Sequence, residues 1–131
     1  IPAVGFGMGI ERLLMLLDSE GIELPKPDQF DVFVTYMGDA KMAAFKLVQA
    51  LRSAGIKADM DHCERSLKAQ FKFANKTAAP LTATLGDDEI AANVVKVRNM
   101  ATREETTVPL DDPAAGVRAI LEKLHQETKE A

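Results

Sequence analysis

A single cysteine in 131 residues, Cys63, leaves no partner for an internal disulfide, and no Cys/His spacing resembles a zinc site, so no metal centre is expected. That points to a reducing compartment, and the cytoplasm is the expected location. No run of about 18 apolar residues exists to span a bilayer, and no basic stretch precedes the apolar start, so no membrane partner is expected. Positive charge is not in surplus either. A net charge of −4 and a pI of about 5.2 are the opposite of the basic footprint of a dedicated nucleic-acid binder, and any RNA contact has to be local. The first residue is Ile1 rather than methionine, and Ile1 to Leu17 reads as the middle of something, so the chain is expected to be a fragment. Internal repeats and low-complexity segments are absent.

What is present is an ordinary globular composition, 47% hydrophobic and 27% charged, on a chain long enough to bury one core. Ile10, Leu13, Leu14 and Leu17 recur at helical spacing while Met15 and Leu16 fill the other side, which predicts a helix apolar almost all round and meant for burial. Pro25-Lys26-Pro27-Asp28 is proline-stiffened and extended, and it predicts a linker over 23–29 between a first unit at 1–22 and a second at 30–131.

From Asp31 onward, strand-like and helix-like segments alternate. Asp31 to Tyr36 is β-branched and aromatic, and Gly38-Asp39 supplies turn and helix-start chemistry. Ala40, Ala44, Leu47, Val48 and Leu51 share one helical face, with Gly55 placed for a left-handed cap. Ile56 to Met60 predicts a second strand, and Ser66 opens a helix whose expected core face is Leu67, Phe71, Ala74 and Ala78. Leu81 to Leu85 predicts a third strand, and Asp87-Asp88-Glu89 an acidic turn. Val94 to Arg98 with Thr106 to Val108 predicts a hairpin. Asp112-Pro113 starts a last helix facing the core through Val117, Ile120, Leu121 and Leu124, with a tail expected to fray after His125. The fold class that follows is α/β: a mixed, mainly parallel sheet of about five strands flanked by helices, with antiparallel pairing at one side.

Gly5-Phe6-Gly7-Met8-Gly9-Ile10-Glu11-Arg12-Leu13 is the most specific string. It fails as a dinucleotide fingerprint, because Ile10 takes the third glycine position and too little chain precedes it for a βαβ unit. As a strand, a glycine-rich approach and a helix opening on Glu-Arg, it resembles motif 3 of class II aminoacyl-tRNA synthetases. The resemblance implies that Arg12 meets the γ-phosphate of ATP, a guanidinium being a rigid fork of donors, and that Gly7 and Gly9 let backbone approach the nucleotide. The segment Arg65-Ser66-Leu67-Lys68-Ala69-Gln70-Phe71-Lys72-Phe73-Ala74-Asn75-Lys76 resembles the anticodon-binding domain of histidyl-tRNA synthetases, whose threonyl, prolyl and glycyl relatives carry a different wording there. Gly86 to Ala91 with Val94 to Arg98 resembles the same family. Two departures touch the hairpin: Asn93 is followed directly by Val94, where the family usually has a glycine before the strand, and Asn99 to Glu105 follows the pattern loosely.

Lys68, Lys72 and Lys76 are spaced i, i+4, i+8 and form one ridge, with Arg65 just before it. A solvated helix face is the plain alternative to RNA backbone contact. Glu89 carries two acceptors that suit the paired donors of an unstacked guanine, against the plainer role of a charge at a helix start. The resemblance implies that Glu89 and Arg98 approach the anticodon. His62 and Cys63 are neighbours that need not face each other, so no Cys/His nucleophile pair is expected.

The resemblance covers nearly the whole chain and implies a parent enzyme, a homodimer, that attaches histidine to its tRNA with ATP and Mg²⁺. The fragment itself, without motifs 1 and 2, is expected to hold no cofactor and to be inactive, its partner being the anticodon stem and loop of tRNA. A catalytically inactive synthetase-like module that senses RNA or partners is the alternative. The apolar residues 10–17 are expected to be mobile or to meet a second copy of the chain.

Overall fold

A computed structural model describes residues 1–23 and 29–130, without the side chains of 127–130. The predicted linker thus lies almost wholly outside the described residues. Ten elements follow in order: α1 (Ile10–Ser19), β1 (Val32–Tyr36), α2 (Lys41–Ser53), β2 (Ala58–Met60), α3 (Leu67–Lys76), β3 (Leu81–Leu85), α4 (Asp87–Ala91), β4 (Val94–Asn99), β5 (Glu105–Pro109) and α5 (Pro113–Glu130).

The five strands form one sheet in the order β2-β1-β3-β4-β5. β2 and β3 both pair parallel to β1, while β4 and β5 add antiparallel ladders, as the alternating pattern predicts. Because side chains alternate along each strand, register divides the sheet into two faces. Val32, Val34 and Tyr36 align with Leu81, Ala83 and Leu85, then with Val97 and Val95, and pack with the apolar faces of α2 and α5 into the main core. On the opposite face Phe33 lies under α3, where it meets Phe30 and Phe73 at ring separations of 6.5 and 5.4 Å.

Helix ends follow local chemistry. Gly55 takes φ +81 after α2, and Asp112 Oδ1 accepts the Ala115 N–H at 3.1 Å to open α5. Asn93, at φ 55, adopts the left-handed conformation just before β4, which asparagine tolerates better than most residues other than glycine, and its amide donates to Asp111 Oδ1 at 2.9 Å. Gly116 lets α5 approach β5: a Cβ there would lie 2.3 Å from Val108 Cγ1.

Four expectations need correction. Residues 1–9 form no strand before the glycines, since no neighbouring strand offers them a ladder. The buried face of α3 is Gln70 and Ala74 rather than Leu67, Phe71 and Ala78. Thr77 ends that helix by donating its hydroxyl to the Phe73 and Ala74 carbonyls, and Ala78 falls beyond it, exposed at φ 53. Asp39 does not cap α2, whose N-cap is Ala40. The backbone of α5 stays helical to Glu130, past the point where fraying was expected.

Candidate nucleic-acid interface

α3 presents Lys68, Lys72 and Lys76 to solvent because its other side is fixed to the sheet. Gln70 does much of that fixing. Its Oε1 accepts the Tyr36 N–H at 2.9 Å, and its Nε2 donates to the carbonyls of Tyr36 and Arg65 at 3.0 and 2.8 Å. A buried amide with these partners satisfies both ends of its dipole and joins the end of β1 to the start of α3. Sequence reasoning missed it because Gln70 is polar and its partners lie on another element.

Arg65 is less free than its position suggests. Its Nε lies 2.7 Å from Asp61 Oδ1, its own backbone N–H donates to Asp61 Oδ2 at 2.8 Å, and the guanidinium sits 4.7 Å from the centroid of the Phe73 ring. It is a braced cation, half open to solvent and lying over an aromatic ring.

α3 leaves the β4–β5 part of its sheet face accessible, while Thr82 of β3 on the same face is fully buried. Lys96 and Arg98, two residues apart on β4, both point to that side, beside Thr84 and Thr82 in the neighbouring strand. Arg98 Nη1 is 4.0 Å from Glu105 Oε1, a loose pairing across the ladder. Lys96 is held more firmly, with its Nζ 2.6 Å from Glu89 Oε1.

Glu89 was expected to offer both carboxylate oxygens to a base, and the structure has both engaged. Oε2 accepts the Gly86 N–H at 3.0 Å, Oε1 holds Lys96, and the residue is 8% exposed. The hydrogen bond from Lys96 is the main reason that its carboxyl is held below the ordinary carboxylate value. Burial opposes this, while backbone donors assist. The same contact raises Lys96. What Glu89 puts forward is therefore the ammonium of Lys96, a residue the sequence reading passed over. The signal, an acid and a lysine seven positions apart across a turn, is visible only once that turn is known.

Arg12, Gly7 and Gly9 lie apart from these groups in sequence and line no pocket with them. Arg12 is exposed on α1, Gly9 stands at its N-cap, and a Cβ at Gly7 would meet nothing within 4 Å. Among the described residues no group of three or more His, Cys, Asp or Glu could hold a metal ion, and no helix is long and apolar enough to cross a membrane.

Residues 31–120 match the family model described as the anticodon binding domain. The chain belongs to that family. The chain is 51% identical over 113 residues to the histidine–tRNA ligase of Caldanaerobacter subterraneus subsp. tengcongensis, covering 86% of this chain and 27% of that protein. It is 48% identical over 124 residues to the histidine–tRNA ligase of Lactiplantibacillus plantarum, covering 94% of this chain and 29% of the relative. Among solved structures, the apo histidyl-tRNA synthetase of S. aureus superposes with a TM-score of 0.65 at 43% identity, over 82% of this chain and 32% of that one. The chain thus spans between a quarter and a third of the length of these relatives, and their five-stranded domain is the fold described above.

Proposed function

We propose that this anticodon-binding domain grips the anticodon stem and loop of a tRNA as the recognition part of a cytoplasmic, homodimeric histidine–tRNA ligase. On this reading the catalytic part attaches histidine using ATP and Mg²⁺. Residues 1–22 belong to that part, 23–29 are a linker and 30–131 are the recognition domain. Arg12 contributes a γ-phosphate contact, with Gly7 and Gly9 giving the nucleotide backbone access, and all other groups needed for the reaction lie outside this chain. The isolated chain therefore has no histidine-dependent ATP–pyrophosphate exchange, and exchange above background would overturn this part.

The observation that carries the reading is a cationic strip on an acidic protein of net charge −4. The α3 ridge of Lys68, Lys72 and Lys76, with Arg65 at its head, borders the open sheet face that bears Lys96 and Arg98. Lysines on a helix ridge suit the phosphate backbone, which fixes position without reading sequence. Lys96 and Arg98 rise from a rigid strand, where a splayed base can be met by fixed donors. Glu89 takes part by holding Lys96, and its own second contact to a base requires that pair to open.

Binding of an anticodon stem–loop across a salt series tests this. The four basic groups from Arg65 to Lys76 give a log–log slope of at most about −3, and Lys96 with Arg98 raises the ceiling to about −4. Lys68→Glu with Lys72→Glu is expected to weaken all RNAs alike, whereas Arg98→Ala weakens guanine-containing anticodons most. A change of anticodon preference from the lysine pair would refute the division of labour, and unchanged affinity in both variants would refute the interface.

A further inference from the structure

At the carboxyl ends of β1 and β2 the chain leaves the sheet in opposite directions, toward α2 on one face and α3 on the other. Between such diverging connections an open α/β sheet has a crevice, and ligands of these folds lodge there. Here the crevice encloses about 770 Å³. Its apolar wall is Met37, Met42, Phe45, Met60 and Leu67, and Phe45 and Met42 are among the exposed large hydrophobics of the chain.

Three further features converge on it. Tyr36, only 5% exposed, lines the crevice, and its hydroxyl is buried without a hydrogen-bond partner, an arrangement that carries a cost in an unliganded fold. The first turns of α2 and α3 both open onto it, and neither helix has a side-chain cap bonded to its first N–H groups. Those groups, with the positive ends of two helix dipoles, favour an anion. Lys41 and Arg65 stand at the mouth. Lys41 is held there by Glu64, a non-glycine residue at φ 53, and because this pair is solvent-exposed it can be exchanged for a phosphate at little expense.

We infer that this crevice binds one nucleotide unit, its base against Phe45, Met42 and Leu67 and its phosphate between the starts of α2 and α3 beside Lys41. The Tyr36 hydroxyl and the Asp39 carboxylate supply a donor and acceptors for base edge and ribose. The unit comes either from a splayed nucleotide of bound RNA or from a free nucleoside monophosphate. Only the first source rests on the RNA reading above.

Six methionines make the test self-controlled. Met37, Met42 and Met60 line the crevice, Met8 and Met15 lie in the first unit, and Met100 accepts the Thr82 hydroxyl at 3.4 Å at the edge of the open sheet face. With ¹³C-methyl-methionine chain, AMP, GMP, CMP and UMP are titrated singly, then an anticodon stem–loop RNA. The expected result is saturable movement of Met37, Met42 and Met60 with Met8 and Met15 still, weakened about tenfold by Lys41→Ala through loss of a charge-assisted bond. Phe45→Ala weakens it as well. Movement of the crevice methionines by RNA but not by mononucleotides assigns the RNA as source. Movement by mononucleotides with RNA moving Met100 alone assigns the free nucleotide. If no probe moves the three crevice methionines, or if Lys41→Ala and Phe45→Ala both leave the titrations unchanged, the proposal is overturned. Met100 still moving with RNA would then leave the RNA interface standing, while a silent Met100 beside a responsive crevice would remove that interface alone.

Discussion

The two faces of the sheet are built on opposite principles. The face under α2 and α5 is sealed by aliphatic side chains from all five strands, from Val32 and Ala58 through Leu81 and Val95 to Val108. The other carries a small aromatic and alanine cluster under α3, continues through the buried Thr35 and Thr82, and opens at β4 and β5 onto Lys96, Arg98 and Thr107. The first face supplies cohesion by burial, at about 25 cal/mol per Å² of apolar surface. On the second, one packed patch holds a helix in place so that the remaining strands can stay polar and accessible. The difference implies that the closed face spreads its stability over many residues, whereas the open face concentrates it in Phe33.

The largest effect is accordingly expected at that residue. Phe33 has no exposure and joins β1 to α3 through Phe73, so Phe33→Ala should lower unfolding free energy by about 3–5 kcal/mol in urea titrations. A loss no greater than that of Val34→Ala, its neighbour on the closed face, would break the comparison. Next comes the closed face itself at Gly116→Ala. The helix gains about 1 kcal/mol in propensity, but a methyl 2.3 Å from Val108 Cγ1 overpacks the α5–β5 contact at about 1–3 kcal/mol, a net loss of about 1 kcal/mol. A net gain would show that α5 can shift outward, and that the face is less tightly sealed than its burial indicates.

The closed face was also the legible one. Ala40, Ala44, Leu47, Val48 and Leu51 announce α2 by spacing, and all are buried. Asp112-Pro113 announces α5 by start chemistry. Such patterns are local, repeating within one or two turns. The open side depends on contacts between distant residues. Nothing near Gln70 says that it will bond to Tyr36, 34 residues away, so the core face of α3 was assigned to Phe71 and Ala78. Glu89 was legible as an acid at a helix start but not as a group already occupied by Lys96, because the path of the chain from α4 into β4 sets that distance. The lysine ridge was legible because spacing alone places three side chains on one side of a helix. The crevice at Tyr36 draws on two loops and two helix starts, and no single stretch of sequence contains it.

A smaller, pH-dependent effect separates the faces further. The Glu89 carboxyl is held below its ordinary value of 4.5, chiefly by the hydrogen bond from Lys96. A lowered folded value means a contribution present in full above the ordinary value and lost as pH falls through the lowered one. Urea midpoints of the wild-type chain should therefore drop more steeply below about pH 4.5 than those of Glu89→Gln, the two approaching each other in acid. Parallel curves would show that the pair adds nothing to folding and serves only to place Lys96.

The smallest expected effect on stability is the most telling for the interface. Lys68 and Lys72 are exposed on α3, and none of their side-chain atoms takes part in the α3–sheet contact, which runs through Gln70, Phe73 and Ala74. Reversing both charges should change unfolding free energy by no more than about 0.5 kcal/mol per site, the usual range for surface positions. RNA affinity should fall for every sequence and the salt slope should shrink by about 1.4, since roughly 0.7 of a counterion is released per phosphate neutralised on a single strand. The two measurements together are decisive. Lost affinity with intact stability and a shallower slope places these lysines on phosphate. Lost affinity with an unchanged slope would mean that they act by steering or by shape, and a large loss of stability would mean that α3 depends on its exposed side, so that the open face is not the independent working surface that its polarity suggests.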